Sequence, residues 1–198
     1  MTLGAMASEF QRRKIALVFD AMDTDGDGFL TESDFAELTM RWTELRRAAP
    51  GTRDHARLSS IMMGWWHTLL EASDLDRDNK VTIEEVLYVV ERLPTMLDVV
   101  TGTARAMFEA IDENADNEIT AGEYRQLIEA WTGSRTETDE VFGRLDLDGD
   151  GRLTEDEFAL LWAEFWAGDD PSAPGTWVFG DFDLPSADSM LPASLSRH

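Results

Sequence analysis

Four segments of the chain carry oxygen-bearing side chains at positions 1, 3, 5 and 12 of a twelve-residue window. They span residues 23–34, 74–85, 112–123 and 146–157, numbered loops 1 to 4. Positions 1, 3 and 5 are Asp or Asn, position 6 is Gly or Asn, and position 12 is acidic. Calcium takes about six to eight oxygen ligands, and this spacing wraps such a set around one ion. Four such windows in 198 residues are more than would arise by chance, so the sequence predicts calcium binding.

The predicted ligands follow the EF-hand loop pattern, in which positions 1, 3, 5 and 12 supply side chains and position 7 supplies a backbone carbonyl. In chain order they are Asp23, Asp25, Asp27, Phe29, Asp34, Asp74, Asp76, Asp78, Lys80, Glu85, Asp112, Asn114, Asp116, Glu118, Glu123, Asp146, Asp148, Asp150, Arg152 and Glu157. The side chain at position 7 differs in every loop, which agrees with a role for its carbonyl alone.

Position 6 belongs to the loop pattern, and two further positions, 8 and 9, agree with it independently. Position 6 needs a positive φ, which Gly adopts freely and Asn tolerates. Position 8 is apolar in every loop, which suits a short strand that pairs neighbouring loops; its occupants are Leu30, Val81, Ile119 and Leu153. Position 9 is always Thr, and Thr followed three residues later by an acid predicts a capped helix start after each loop.

The loops are not equivalent. Loop 4 is close to the ideal pattern, and loop 2 has four acidic side-chain ligands ending in Glu85. Loop 3 has Asn114 in place of an acid, and loop 1 ends in Asp34, which is one methylene shorter than Glu. A shorter acid at position 12 lowers the coordination number and favours Mg²⁺. We therefore expect up to four Ca²⁺, with the first site tolerating Mg²⁺ best.

Each loop must be held between two helices, and the loops begin at residues 23, 74, 112 and 146. Apolar residues at helical spacing flank every loop, so the sequence predicts an all-α fold of four helix-loop-helix units in two pairs that form one compact globule. Short loop-loop β-bridges would join the members of a pair. We expect the first pair at residues 8–93, the second at 94–167, and an irregular tail at 168–198, docked in part (177–182) and mobile in part.

Composition excludes several classes of protein. Forty acidic residues against 17 basic ones give a formal net charge of −23, which argues against nucleic acid as a partner. There is no cysteine, so disulfides, thiol catalysis and cysteine metal sites are excluded. No apolar run is long enough for a membrane span. No nucleophile–base pair or phosphate-binding loop is visible, so we expect no enzymatic activity. We expect a cytoplasmic monomer.

The arrangement of the four units resembles the sarcoplasmic calcium-binding protein family, which includes calerythrin-like prokaryotic members and calexcitin. The resemblance rests on a long first separation between loops and on a tail with Asp169-Asp170-Pro171 and a later Trp177-Val178-Phe179-Gly180, and it covers about residues 8–182. It implies a globule in which the two pairs pack face to face. Many relatives have one or two disabled loops, whereas all four loops look usable here.

The function that we expect is reversible intracellular Ca²⁺ binding by a calcium buffer or transporter. One alternative is a calcium sensor that exposes an apolar groove to an unidentified target protein when loaded. A second is a luciferin-type small-molecule carrier, because related photoproteins hold an aromatic luciferin in an aromatic core. The side chains that would line such a cavity, or more simply fill the core, are Trp42, Trp65, Trp66, Trp131, Trp162, Phe165 and Trp166.

Overall fold

A computed structural model describes residues 7–181 of the 198-residue chain. Within this range lie eight α-helices and two short strands: α1 (Glu9–Met22), α2 (Glu32–Leu45), α3 (Arg53–Ser73), α4 (Ile83–Val90), α5 (Leu97–Ile111), β1 (Glu118–Thr120), α6 (Ala121–Thr132), α7 (Asp139–Leu145), β2 (Arg152–Thr154) and α8 (Glu155–Ala167). Two 3₁₀ turns occupy Leu93–Thr95 and Pro174–Trp177. The predicted docking of Phe182 and the predicted mobility of the end of the tail lie outside the described residues.

Several helices begin where a side-chain oxygen caps a free N–H group. Ser8 Oγ accepts the N–H of Gln11 at 3.0 Å and starts α1. After loops 2, 3 and 4, the Thr at position 9 accepts the N–H of the Glu at position 12 at 3.3 Å, and that Glu accepts the Thr N–H in return. The helix starts predicted from Thr-x-x-Glu are therefore confirmed.

Two details of the helices differ from the sequence expectation. The sequence predicts a helix from about Ile83 to Leu93 after loop 2, where Pro94 would stop it, but α4 ends at Val90. The residue before a proline is disfavoured in helical geometry, so Pro94 disturbs the chain before its own position and a 3₁₀ turn replaces the last turn. Leu45, assigned to the apolar face of α2, is 41% exposed because the helix ends there.

The loops meet in pairs through their position-8 residues, as predicted. Leu30 and Val81 exchange two backbone hydrogen bonds, at 2.8 and 3.0 Å. Strands β1 and β2 pair antiparallel with Ile119 opposite Leu153. All four side chains are fully buried, so each pair of loops closes over the end of the core.

One aromatic core runs through both pairs of units. Helix α2 packs on α3 within the first pair and on α6 of the second, while α3 also packs on α5. Ring centroids lie 5.5 Å apart for Phe35 and Trp65, and 5.5 Å apart for Trp65 and Trp131. This continuity is the single globule predicted from the sequence. No helix within residues 7–181 is both long and apolar enough to cross a membrane.

The tail folds back onto the second pair. Phe179 is 2% exposed, and its ring centroid lies 4.7 Å from that of Phe165 and 5.3 Å from that of Trp162. The Tyr124 hydroxyl donates a hydrogen bond of 3.0 Å to the carbonyl of Trp177. Residues 174–180 thus close the apolar face between α6 and α8.

Candidate metal centres

Each loop is wound around its position-1 carboxylate. The N–H at position 6 donates to the second carboxylate oxygen of position 1, at 2.8 Å in loops 1 and 4, 3.1 Å in loop 2 and 3.0 Å in loop 3. The N–H at position 7 donates to the position-5 side chain at 2.8 to 3.0 Å. These bonds turn the oxygens at positions 1, 3 and 5 towards one side of the loop.

Two backbone positions in each loop are left-handed. Position 6 has φ of 87° at Gly28, 64° at Asn79, 64° at Asn117 and 85° at Gly151, as predicted. Position 4 is left-handed as well, which the sequence reasoning missed; the Gly at this position in loops 1 and 4 was the available signal. In loops 2 and 3 the same geometry falls on Arg77 (φ 64°) and Ala115 (φ 59°), where a Cβ makes it strained.

The acid at position 12 ties the end of the loop to its beginning in loops 1, 2 and 3. In loops 2 and 3 one oxygen of the Glu accepts the position-2 N–H at 3.0 Å, and the other accepts the position-9 N–H at 2.9 Å. Asp34 makes the same two contacts, at 2.9 Å to Thr24 and 2.8 Å to Thr31. The shorter side chain therefore spans the loop.

Three loops bring three carboxylates within 4.8 Å of one another: Asp23, Asp25 and Asp27; Asp74, Asp76 and Glu85; and Asp146, Asp148 and Glu157. Among the described residues, Asp34 is not part of the loop 1 group, whereas the position-12 Glu belongs to the groups of loops 2 and 4. In loop 3 the Asn114 amide donates to Asp116 at 2.9 Å, so an amide takes the place of the third acid. In loops 2 and 4 the acid at position 12 thus lies beside the carboxylates at positions 1 and 3.

Comparisons with known proteins agree with this geometry. A family model described as an EF-hand domain pair matches residues 103–162, and one described as an EF hand matches residues 15–39. The alpha-B and -A chains of the sarcoplasmic calcium-binding protein of Penaeus sp. are 29% identical over 173 residues, covering 80% of this chain and 88% of theirs. Calerythrin of Saccharopolyspora erythraea is 26% identical over 170 residues, covering 83% of this chain and 94% of its own.

The chain is similar to sarcoplasmic calcium-binding proteins over most of its length, and two of its segments match EF-hand models. Among solved structures, the calcium-loaded apo form of coelenterazine-binding protein from Renilla muelleri aligns with a TM-score of 0.71 at 18% identity, covering 89% of this chain and 100% of that one. A sarcoplasmic calcium-binding protein from amphioxus aligns with a TM-score of 0.64 at 19% identity, covering 88% and 98%. Likeness at these identities shows the fold alone.

The EF-hand loops contain carboxylates with a raised pKa and others with a lowered pKa. Loss of hydration and the charge of Asp78 raise the pKa of Asp76, the repulsion expected where acids converge on a cation site. Burial alone would raise the pKa of Asp34, but hydrogen bonds from Thr31 and Thr24 outweigh it and hold that pKa below its ordinary value. Glu85 behaves like Asp34 for the same reasons. Asp34 and Glu85 are thus held as carboxylates, the form that binds a cation.

The position-7 side chains pair across neighbouring EF-hand loops. The ammonium of Lys80 lies 4.6 Å from the ring centre of Phe29, and Arg152 pairs with Glu118. The sequence reasoning treated these identities as free, because only the carbonyl would touch the ion. Their complementary types in paired loops were the signal that could have revealed the contacts. They link the two loops of each pair outside the ligand set.

Proposed function

We propose that the protein binds up to four Ca²⁺ reversibly and acts as a calcium buffer or transporter, as a monomer in the cytoplasm. The observation that carries the buffer role is the burial of the apolar faces that a sensor would present. Trp42, Trp131 and Trp162 are each at most 2% exposed and lie in one core shared by both pairs and the tail. Opening a pair would break this core, so binding would proceed with little exposure of apolar surface.

Each ion would be held by the side chains at positions 1, 3, 5 and 12 and by the carbonyl at position 7 of its loop. In loops 2 and 3 one position-12 oxygen accepts a single N–H and retains lone-pair capacity for the cation, whereas the other accepts both the N–H and the hydroxyl of the Thr at position 9. The same bonds fix the direction of these side chains before the ion arrives. Asp34 is fixed in the same way but is shorter, so loop 1 would discriminate least between Ca²⁺ and Mg²⁺.

Calcium would stabilise the fold by removing repulsion among clustered carboxylates. Fifteen of the 40 acidic residues stand at positions 1, 3, 5 and 12 of the loops. A ligand that binds the native state alone adds about 2.7 kcal/mol to the free energy of unfolding at a concentration of about 100 times Kd. With several sites the apo and loaded proteins should differ widely in Tm. Equal Tm values in excess chelator and in millimolar Ca²⁺ would refute calcium binding itself.

Calorimetric titration of the metal-free protein with Ca²⁺, with and without millimolar Mg²⁺, tests the buffer role. We expect tight sites, competition by Mg²⁺, and no rise in the fluorescence of an apolar dye. Glu157→Gln should remove or weaken one site, whereas Glu155→Gln, an exposed residue of the same helix turn that pairs with Arg105, should retain all sites. Weak sites that ignore Mg²⁺, together with a calcium-dependent dye signal, would refute the buffer role.

One observation favours the sensor as a second candidate. An open, largely apolar groove of about 660 Å³ lies between α2 and α3, with Met40 and Met63 in its lining. Methionine-rich grooves accommodate target helices of varied sequence. Calcium-dependent retention of the protein on a hydrophobic resin, lost in Met40→Glu and kept in Leu160→Glu, would favour this role. Retention that is independent of Ca²⁺ would count against it.

A carrier of aromatic luciferin is poorly supported. The recess lined by Trp65, Trp162 and Trp166 has a volume of about 70 Å³, whereas drug-sized ligands occupy pockets of about 300 Å³ or more. The tryptophans instead contact one another and Phe179, with ring centroids about 5 to 6 Å apart. This packing favours the simpler role of these side chains as core.

A further inference from the structure

Two arginines of the first pair reach across the molecule to the end of α5, where loop 3 begins. Arg46 follows the last residue of α2, and Arg57 lies in the second turn of α3. Arg46 Nη2 donates to the carbonyl of Ile111 at 2.7 Å. Arg57 donates to the carbonyl of Glu109 at 2.7 Å and to that of Asp112 at 3.1 Å. These carbonyls surround position 1 of the loop.

The contacts satisfy groups that a helix end leaves free. The last carbonyls of a helix have no partner within the helix and carry its partial negative charge. A helix end is usually capped by residues close to it in the chain. Here the donors are guanidinium groups from the other pair of helix-loop-helix units. The position and orientation of Asp112, which winds loop 3 around its carboxylate, are thereby set by α2 and α3.

Arg46 holds the other helix of the same unit as well. Its Nε donates to Gln126 Oε1 of α6 at 3.2 Å. Gln126 in turn donates to Glu113 Oε2, at position 2 of loop 3, at 3.1 Å. A single side chain therefore connects the helix that enters loop 3 with the helix that leaves it.

The burial of Arg46 indicates more than a packing role. Its side chain has no exposed surface and lies 5.2 Å from the Trp42 ring centre. Among residues 7–181, its Nη1 makes no hydrogen bond and stands 4.0 Å from Asp54 Oδ1. A buried charge of this kind is often no better for stability than an apolar side chain of similar volume. Its specific contribution is the fixed geometry of the groups that it joins.

We propose that Arg46 and Arg57 are positioning residues for the third calcium site, so that the Ca²⁺ affinity of loop 3 depends on the helices of the first pair. The inference rests on the proposed binding of Ca²⁺ by the four loops. Helix α2 leaves loop 1, with Asp34 in its first turn and Arg46 at its end. The side chain that ends loop 1 thus lies in the first turn of α2, and the side chain that orients loop 3 directly follows the last residue of the same helix.

Site-resolved calcium titration tests the proposal. The backbone N–H groups of Gly28, Asn79, Asn117 and Gly151 occupy the same hydrogen bond in their respective loops, so their NMR signals report the four sites separately. In Arg46→Met we expect the Asn117 midpoint to shift to a Ca²⁺ concentration about tenfold higher, as is typical when a partner of a metal ligand is removed. The midpoints of Asn79 and Gly151 should move less than about twofold, the scatter expected for sites that share no partner with it.

Two more variants separate positioning from charge and from stability. Arg13→Met removes an arginine whose ion pair with Glu9, at 4.0 Å, is exposed, and it should shift no midpoint. Arg46→Lys keeps the charge and one donor for Ile111 but cannot bridge to Gln126, so it should recover part of the loss. Arg57→Gln, at a partly exposed position, should weaken loop 3 alone. This variant provides the test if Arg46→Met does not fold.

The outcomes that overturn the proposal are distinct from a failure of the proposed function. An unchanged Asn117 midpoint in both Arg46→Met and Arg57→Gln would overturn it. A tighter third site in these variants would mean that the arginines act only as repelling charges, and equal weakening of all four sites would mean that they act only on stability. If no loop of the unaltered protein responds to Ca²⁺, the proposed function fails instead.

Discussion

Replacing Lys14 by Met removes a buried ammonium group that ties the first helix to the last. Lys14 is fully buried, and its Nζ donates to the carbonyl of Gly168 at 2.9 Å and to that of Glu164 at 3.3 Å. The rings of Phe10 and Phe165 lie 5.3 and 5.0 Å away. The variant keeps a flexible side chain of similar length but removes the charge and the donors.

The magnitude follows from the pKa of this group. Burial lowers the pKa of Lys14 from 10.5 to about 8, although the carboxylates of Asp169 and Glu164 oppose the shift. Between these values the unfolded chain binds more protons than the folded protein, so the free energy of unfolding rises as the pH rises. A shift of this size corresponds to about 3 kcal/mol, gained between pH 8 and pH 10.5 and absent below pH 8.

Unfolding by guanidinium measures this rise in the free energy of unfolding. The measurement is made at half-unit steps from pH 7 to pH 10.5, in carbonate-free buffer with saturating Ca²⁺. The difference between the unaltered protein and Lys14→Met isolates it, because other groups that titrate in this range are common to both. Lys80→Met, which alters the only other lysine, should keep the full rise.

A flat difference between the two proteins across this range would refute the assignment of a depressed pKa to Lys14. A difference of the opposite sign, with the unaltered protein losing stability above pH 8, would show that the carbonyls and carboxylates stabilise the ammonium more than burial destabilises it. Either result would also remove the evidence that burial destabilises the Lys14 charge at the contact between α1 and the end of α8.

Three further predictions concern the loops and the tail. Asp34→Glu should raise the preference of the first site for Ca²⁺ over Mg²⁺ on the order of tenfold, because a bidentate Glu completes the larger coordination shell; competition calorimetry measures it, and an unchanged ratio would contradict the ranking of the loops. Ala115→Gly should relieve a left-handed φ of 59° and stabilise the apo protein by about 1 kcal/mol, measured by urea unfolding. The control Ala36→Gly, exposed within α2, should instead destabilise by about 1 kcal/mol. Phe179→Ala should cost about 3 to 5 kcal/mol of unfolding free energy and create an apolar-dye signal, since the ring is 2% exposed; loss of less than about 1 kcal/mol would mean that the tail is not part of the core.

Local sequence patterns predicted the features that depend on neighbours in the chain. The Thr-x-x-Glu caps located the starts of α4, α6 and α8, and the apolar position-8 residues located both loop pairings. The left-handed geometry of Asn79 was predictable because Asn is the usual substitute for Gly at such a position. Each of these features follows from interactions within about one turn or loop.

Contacts between distant segments were not predictable from the same patterns. Arg46 lies 65 residues before Ile111, and no periodicity relates the two. A run of two arginines such as Arg46-Arg47 predicts a solvated helix face, but α2 ends at Leu45, and Arg46 turns inward while Leu45 faces solvent. The end of the helix thus decides which of these two neighbouring side chains is buried.

The hydrogen bonds named between the two halves of the chain run in one direction. Lys14, Arg46 and Arg57 of the first half are donors, and carbonyls at the ends of α8 and α5 of the second half are acceptors. A two-fold symmetric interface would require each half to supply both roles. The two halves are therefore not interchangeable, because the first supplies the donors and the second supplies the acceptors. A chain that repeated either half twice would lack the donors or the acceptors that join the two halves.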